Sequence, residues 1–197
     1  MWIKICGMTT AAAVDAALEA HVDAIGFVFA SSPRELAPEP AAALARPARG
    51  RVRCVAVTRH PAQSAVDEIL RVLAPDVLQS DAADLARLRL PSGLETLPVV
   101  RAGAAVPEPL PARILFEGPV SGRGAVSDWS AAAGLARRTQ LLLAGGLNEA
   151  NVGAAIVQVQ PFGVDVSSGV EERPGVKSPA AIMRFVAAVR AAAAVPA

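Results

Sequence analysis

Cysteine is nearly missing: Cys6 and Cys54 are the two thiols in 197 residues. Two thiols cannot build a multi-bridge framework, so each reads as a free cysteine in a reducing compartment. Histidine is equally scarce. No C-x-x-C occurs, and His21 and His60 share no ligand spacing, so no structural metal is expected. Charge of one sign is lacking too. The net charge is +1 and no run of like charges exceeds two residues, which gives nucleic acid nothing to hold. No uncharged apolar run reaches the roughly 18–20 residues of a membrane span. The start, MWIKICGMTT, lacks the basic region and the small-residue cleavage site of a secretory signal, so the expected location is the cytoplasm, with no membrane partner.

What is present is apolar surface: 53% of residues are hydrophobic and 19% charged, ample for a core. Short β-rich runs alternate with Ala/Leu-rich stretches along the whole chain. The runs fall at 2–6, 24–29, 52–58, 76–79, 97–101, 113–116, 141–144 and 162–166. Between them, Val66, Ile69, Leu70 and Leu73, and again Ile182, Phe185, Val186 and Val189, follow the spacing of a helix with one buried stripe. Asp81, Asn148 and Ser178-Pro179 supply start signals for helices to about Leu88, over 149–159 and over 180–193. A short helix fits 39–46. Residues 102–112 carry Pro107, Pro109 and Pro111, which leave little room for a helix.

Eight strand–helix repeats in one uninterrupted series predict an α/β fold, a single (β/α)8 TIM barrel over 1–197 with a degenerate fifth helix. The alternative, an open doubly wound sheet, usually carries a G-x-G-x-x-G after its first strand, where this chain has CGMTT. In such barrels the chemistry sits at the C-terminal ends of the strands. The residues there are Cys6, Arg34, Gln79, Arg101, Glu117, Gly145-Gly146, and Asp165 with Ser167-Ser168-Gly169.

The glycine-bearing segments after strands 7 and 8 stand where barrels of this kind bind phosphate through backbone N–H groups, and Ser121-Gly122-Arg123-Gly124 would extend that cradle. The bland reading of any one of them is a tight turn. Cys54, among Val52, Val55 and Val57, reads as a buried structural thiol. Cys6 shares a strand face with Lys4, whose ammonium is expected to lower the thiol toward neutrality and make it a usable base. Asp165, if it points inward from strand 8, pairs with Lys4. Trp129 and Phe185 are expected to pack helices onto the barrel, and the two histidines to be exposed.

KICGMT at the start, GF-F--SPR at 26–34, a glycine-rich loop ending in Asp128-Trp129, LAGGLN--NV at 143–152 and GVDVSSGVE--PGVK at 163–177 together resemble the phosphoribosylanthranilate isomerase family of tryptophan biosynthesis. The resemblance runs from Lys4 to Lys177. It implies an Amadori rearrangement of a phosphorylated small molecule, without metal or cofactor. Cys6 falls on the family's base and Glu117 on its acid. Arg34 would hold the anthranilate carboxylate, with Asp165 and Gln79 beside the substrate. Gly145, Gly146, Ser167, Ser168 and Gly169 would hold phosphate. The assembly expected is a monomer or a homodimer.

Two departures stand out. The family usually reads Leu-Leu-Asp at strand 6 and Gln-Leu-His-Gly at strand 4. This chain has Leu115-Phe116-Glu117 and Leu78-Gln79-Ser80-Asp81. The extra methylene moves the acid by about 1–1.5 Å, a scale on which misplacement costs roughly a hundredfold in rate. The competing readings are another sugar-phosphate isomerase or epimerase, and a barrel that binds such a ligand without turning it over.

Overall fold

The computed structural model describes residues 1–118 and 128–194. Eight parallel strands close into a barrel in chain order: β1 (Trp2–Cys6), β2 (Ala24–Val28), β3 (Arg53–Val57), β4 (Val77–Asp81), β5 (Glu95–Arg101), β6 (Arg113–Glu117), β7 (Gln140–Leu143) and β8 (Gly163–Val166). Because β1 pairs with β2 on one side and β8 on the other, the open-sheet alternative is excluded. The loop 121–124 lies outside the described residues.

Around the strands lie α1 (Ala11–Glu19), α2 (Pro38–Ala45), α3 (Gln63–Leu73), α4 (Ala82–Leu85), α5 (Trp129–Ala136), α6 (Val152–Val159) and α7 (Pro179–Ala193). A short antiparallel ribbon, β9 (Glu171–Arg173) with β10 (Val176–Lys177), intervenes between β8 and α7. Between β5 and β6 no helix forms, as the prolines require. No helix among the described residues is long and apolar enough to cross a membrane.

Strand alternation divides the core in two. Ile3, Ile5, Ile25, Phe27, Leu78, Ile114, Phe116, Leu141, Leu143 and Val164 face outward and pack under the helices. Phe185 is fully buried in that layer and Trp129 packs against it. The opposite faces contribute Ala24, Val55, Val77, Leu97, Val99, Leu115, Leu142 and Ala144 to a separate cluster inside the barrel. The α7 stripe of Ile182, Phe185, Val186 and Val189 is wholly buried, and in α3 Val66, Ile69 and Leu73 are.

Two helices differ from the sequence reading. The helix expected from Asn148 begins at Val152, because the Asn148 side chain accepts hydrogen bonds from the Ala150 and Asn151 N–H groups and closes a turn of its own. Asp81 precedes α4 without capping it, since its carboxylate turns into the barrel to Arg101, and the helix ends at Leu85 rather than Leu88. Ser178 does cap α7, accepting from the Ala181 N–H at 3.3 Å.

Closure at β8 depends on Gly163, where an added Cβ would stand 2.5 Å from the Trp2 carbonyl oxygen and 2.8 Å from Leu142 Cδ2. Gly163→Ala is expected to destabilise the protein by about 1–3 kcal/mol. Gly134, inside α5 with nothing within 4 Å of its missing Cβ, is the control: Gly134→Ala is expected to stabilise by roughly 0.5–1 kcal/mol. Urea-unfolding midpoints of the two variants measure both effects.

Candidate active site

One cavity at the C-terminal end of the barrel gathers nearly every polar strand end. Counted with its open mouth, its empty space is about 1070 Å³. Cys6, Arg34, Gln79, Glu117, Gly145, Gly146, Asp165, Ser167 and Ser168 all line it, as do Asp81 and Arg101. Gly169 does not: its Cα faces the Leu147 backbone, and a Cβ there would collide with the Leu147 carbonyl. Its direct part is close packing of two loops.

At the floor, Lys4 has no solvent exposure and donates to Asp165 Oδ1 at 2.9 Å. Burial by itself would lower the Lys4 ammonium, but the neighbouring Asp165 and Cys6 outweigh it and hold its pKa above the ordinary value. For Cys6 the balance runs opposite to the sequence expectation. Burial pushes the thiol up, and Asp165 adds to that, while Lys4 and Lys177 pull down without prevailing. The main reason is burial, which disfavours the thiolate, and the carboxylate paired with Lys4 adds to it. Cys54 is also buried, its thiol pushed up to about 11 by burial.

A second group of charges surrounds Arg34. Its Nε and Nη2 donate to the two carboxylate oxygens of Glu171 at 2.7 and 2.9 Å, a two-pronged pair, and the side chain is buried. Lys177, also buried, donates to Glu171 Oε1 at 2.7 Å and to the Ser167 carbonyl and hydroxyl oxygens at 3.1 and 3.2 Å. Ser167 Oγ in turn donates to the Cys6 carbonyl at 3.0 Å, so this hydroxyl is engaged on the protein and only its backbone remains for an anion. Burial would raise the Glu171 carboxyl, but the hydrogen bonds from Arg34 and Lys177 hold it below the ordinary range. Gly7 belongs to this arrangement: its φ is +83°, and an added Cβ would lie 2.6 Å from Arg34 Cδ.

On the opposite wall, Arg101 bridges two carboxylates, Nη1 donating to Glu117 Oε1 and Nη2 to Asp81 Oδ1. Gln79 is buried beside them, and its Oε1 has no hydrogen-bond partner among the described residues. An orphaned acceptor in a cavity wall suits a donor on a ligand. Ser80, the next residue of β4, points out of the barrel to the Thr58 carbonyl and Asp84, both at 3.3 Å.

The fold also brings His60, Asp81 and Asp84 together, ligand atoms within 4.8 Å of one another, which no spacing in the sequence announced. His60 itself is exposed. Both carboxylates are already paired with arginines, Asp81 with Arg101 and Asp84 with Arg87. The cluster is therefore an ion-paired surface corner rather than an open ligand set. Sequence reasoning missed Glu171, Lys177 and Asp81 as parts of the site. The ribbon that carries Glu171 and Lys177 folds back over β8, and that return gives no periodic signal.

Residues 3–188 match the family described as PRAI, N-(5'phosphoribosyl)anthranilate (PRA) isomerase. An N-(5'-phosphoribosyl)anthranilate isomerase of Azorhizobium caulinodans is 40% identical over 213 residues, covering 96% of this chain and 92% of the relative. The crystal structure of TrpF from Jonesia denitrificans superposes with a TM-score of 0.80 at 36% identity, covering 98% of each chain. A phosphoribosyl anthranilate isomerase solved in complex with reduced 1-(o-carboxyphenylamino)-1-deoxyribulose 5-phosphate superposes at 0.78 with 26% identity, covering 97% of this chain and 99% of the other.

Two titrations follow from the geometry. Catalysis by a base requires the thiolate, and the Cys6 thiol is raised, so its thiolate fraction grows only as pH passes above the ordinary thiol value of about 8.5. Site-resolved iodoacetamide labelling of Cys6 is expected to show its midpoint above that value, and a midpoint near neutrality would contradict the burial argument. Glu171 has a depressed folded pKa. Its stabilising effect is therefore complete above the unfolded value of about 4.3 and is lost as pH falls through the folded value. Urea midpoints measured against pH should fall in that acid window, and Glu171→Gln should remove that part of the slope.

Proposed function

The chain belongs to the N-(5'-phosphoribosyl)anthranilate isomerase family, and from that premise we propose that Cys6 and Glu117 are the base and the acid of its Amadori rearrangement. The activity is that of an intramolecular oxidoreductase: the aldose carbon of N-(5'-phosphoribosyl)anthranilate is reduced and its C2 oxidised, giving 1-(2-carboxyphenylamino)-1-deoxyribulose 5-phosphate. The enzyme name places the step in tryptophan biosynthesis. The substrate is a small phosphorylated molecule, in keeping with the product analogue bound by the solved relative.

The observation that carries the assignment is that Cys6 and Glu117 line the same cavity from strands that are not neighbours, leaving space for a ligand between them. Glu117 delivers its proton to the ribose ring oxygen. The C1–O bond breaks as the anilino nitrogen lone pair moves in to form a protonated Schiff base. Cys6, as thiolate, takes the C2 proton. The electron pair released from that C–H bond forms the C1–C2 double bond and returns the C=N pair to nitrogen. The enolamine so formed tautomerises to the 2-ketone. Acid and base work of this kind contributes about 10²–10⁴-fold each.

Binding falls to the groups around them. Gly145, Gly146 and Ser168 present backbone and a hydroxyl at the phosphate end, helped by the Ser167 backbone. Asn151 braces that loop by donating from Nδ2 to the Gly146 carbonyl at 2.8 Å. Arg34, held by Glu171, faces the anthranilate carboxylate. Asp165 reaches the substrate from the floor, and Gln79 Oε1 takes a hydroxyl or N–H donor.

Following anthranilate-type fluorescence as N-(5'-phosphoribosyl)anthranilate is consumed tests the assignment. Cys6→Ala and Glu117→Gln are each expected to lower kcat by about 10²–10⁴-fold while retaining affinity for the reduced product analogue. Full activity in either variant would remove that residue from its role. If the wild-type protein binds the analogue and turns over no substrate, the barrel is a binder and the acid-base reading falls.

A further inference from the structure

Glutamate at the acid position raises a positioning problem. Its carboxyl rides on one more rotatable bond than the aspartate usual at this place, so an unsupported side chain spreads over more rotamers. The structure offers a support. Arg101 is the register partner of Glu117 across β5 and β6, and Asp81 pairs with Val99 one inward position below Arg101. All three side chains therefore enter the cavity from adjacent strands. Their side chains are 15–18% exposed, far from the freedom of surface groups.

We propose that Arg101 and Asp81 are positioning residues that clamp the Glu117 carboxyl for proton delivery, a proposal that rests on Glu117 being the acid. The planar guanidinium offers N–H groups on two prongs in a fixed geometry. One prong meets Glu117 and the other meets Asp81. Asp81 holds the second prong and fixes the guanidinium plane, and that plane fixes the acid. Lysine in place of Arg101 keeps the charge but loses the fork, so charge and geometry can be separated experimentally.

The test measures kcat, KM and the dissociation constant of the reduced product analogue for Asp81→Asn, Arg101→Lys, Glu117→Gln and Glu117→Asp, and for Asp81→Asn combined with Glu117→Asp. Circular dichroism and urea midpoints confirm folding of each. Asp81→Asn and Arg101→Lys are expected to lower kcat about ten- to a hundredfold, the scale of an ångström misplacement, with KM and analogue affinity changed less than about threefold. In the Glu117→Asp background the shorter acid no longer reaches the fork, so adding Asp81→Asn is expected to change kcat less than about twofold. Wild-type kcat in Asp81→Asn or Arg101→Lys overturns the clamp, and so does an equal loss from Asp81→Asn in both backgrounds. Should Asp81→Asn fail to fold, Arg101→Lys decides. Full activity in Glu117→Gln overturns the acid assignment and the clamp together. Loss in Glu117→Gln beside unaffected Asp81→Asn and Arg101→Lys overturns the clamp alone.

Discussion

A lysine wholly shielded from solvent inside a barrel must find a counter-charge, and Asp165, 2.9 Å away across the join between β1 and β8, supplies it. Removing one partner of such a pair strands a buried charge and costs on the order of 3–5 kcal/mol, so the two residues depend on each other. The pair lies where the last strand closes on the first. It also forms the floor on which Cys6 stands, and it sets how that thiol ionises. A free lysine would favour the thiolate; a lysine already bound to a carboxylate does so far less, and burial then dominates.

A second linked group extends from the same floor. Lys177 reaches Ser167 and Glu171, and Glu171 grips Arg34. The backbone that carries the Cys6 thiol, Ser167 and Arg34 are thus tied through one run of hydrogen bonds. The far wall is organised separately, by Arg101 between Asp81 and Glu117. Among the described residues, the cavity is bordered by two groups of paired charges, one beneath Cys6 and one beside Glu117.

The barrel was legible because each strand carries its own alternation. Ile3, Ile5, Ile25 and Phe27 face the helices, which leaves Lys4, Cys6 and Gly26 inward, and the same parity places Gln79, Arg101, Glu117 and Asp165 in the cavity. The missing fifth helix was legible from three prolines. The polar strand ends that line the cavity followed from the fold, while the roles proposed for them rest on motif resemblance. Strand alternation anticipated one charge pair, Lys4 with Asp165, but not the others. Nothing near Arg34 in the chain indicates Glu171, 137 positions on, and nothing near Glu117 indicates Asp81. The Cys6 expectation failed for that reason: spacing revealed the lysine beside the thiol, while the depth of burial and the strength of the competing carboxylate emerge only from the closed barrel.

The central claim is that the Glu117 carboxyl, despite its extra methylene, reaches the oxygen that leaves the ring, with the Cys6 thiol at C2. A crystal structure of this protein with reduced 1-(o-carboxyphenylamino)-1-deoxyribulose 5-phosphate measures it directly. A Glu117 carboxylate oxygen is expected within about 3 Å of the hydroxyl formed from the ring oxygen, and Cys6 Sγ in contact with C2. A complex in which Glu117 stays turned away while another donor meets that hydroxyl would contradict it.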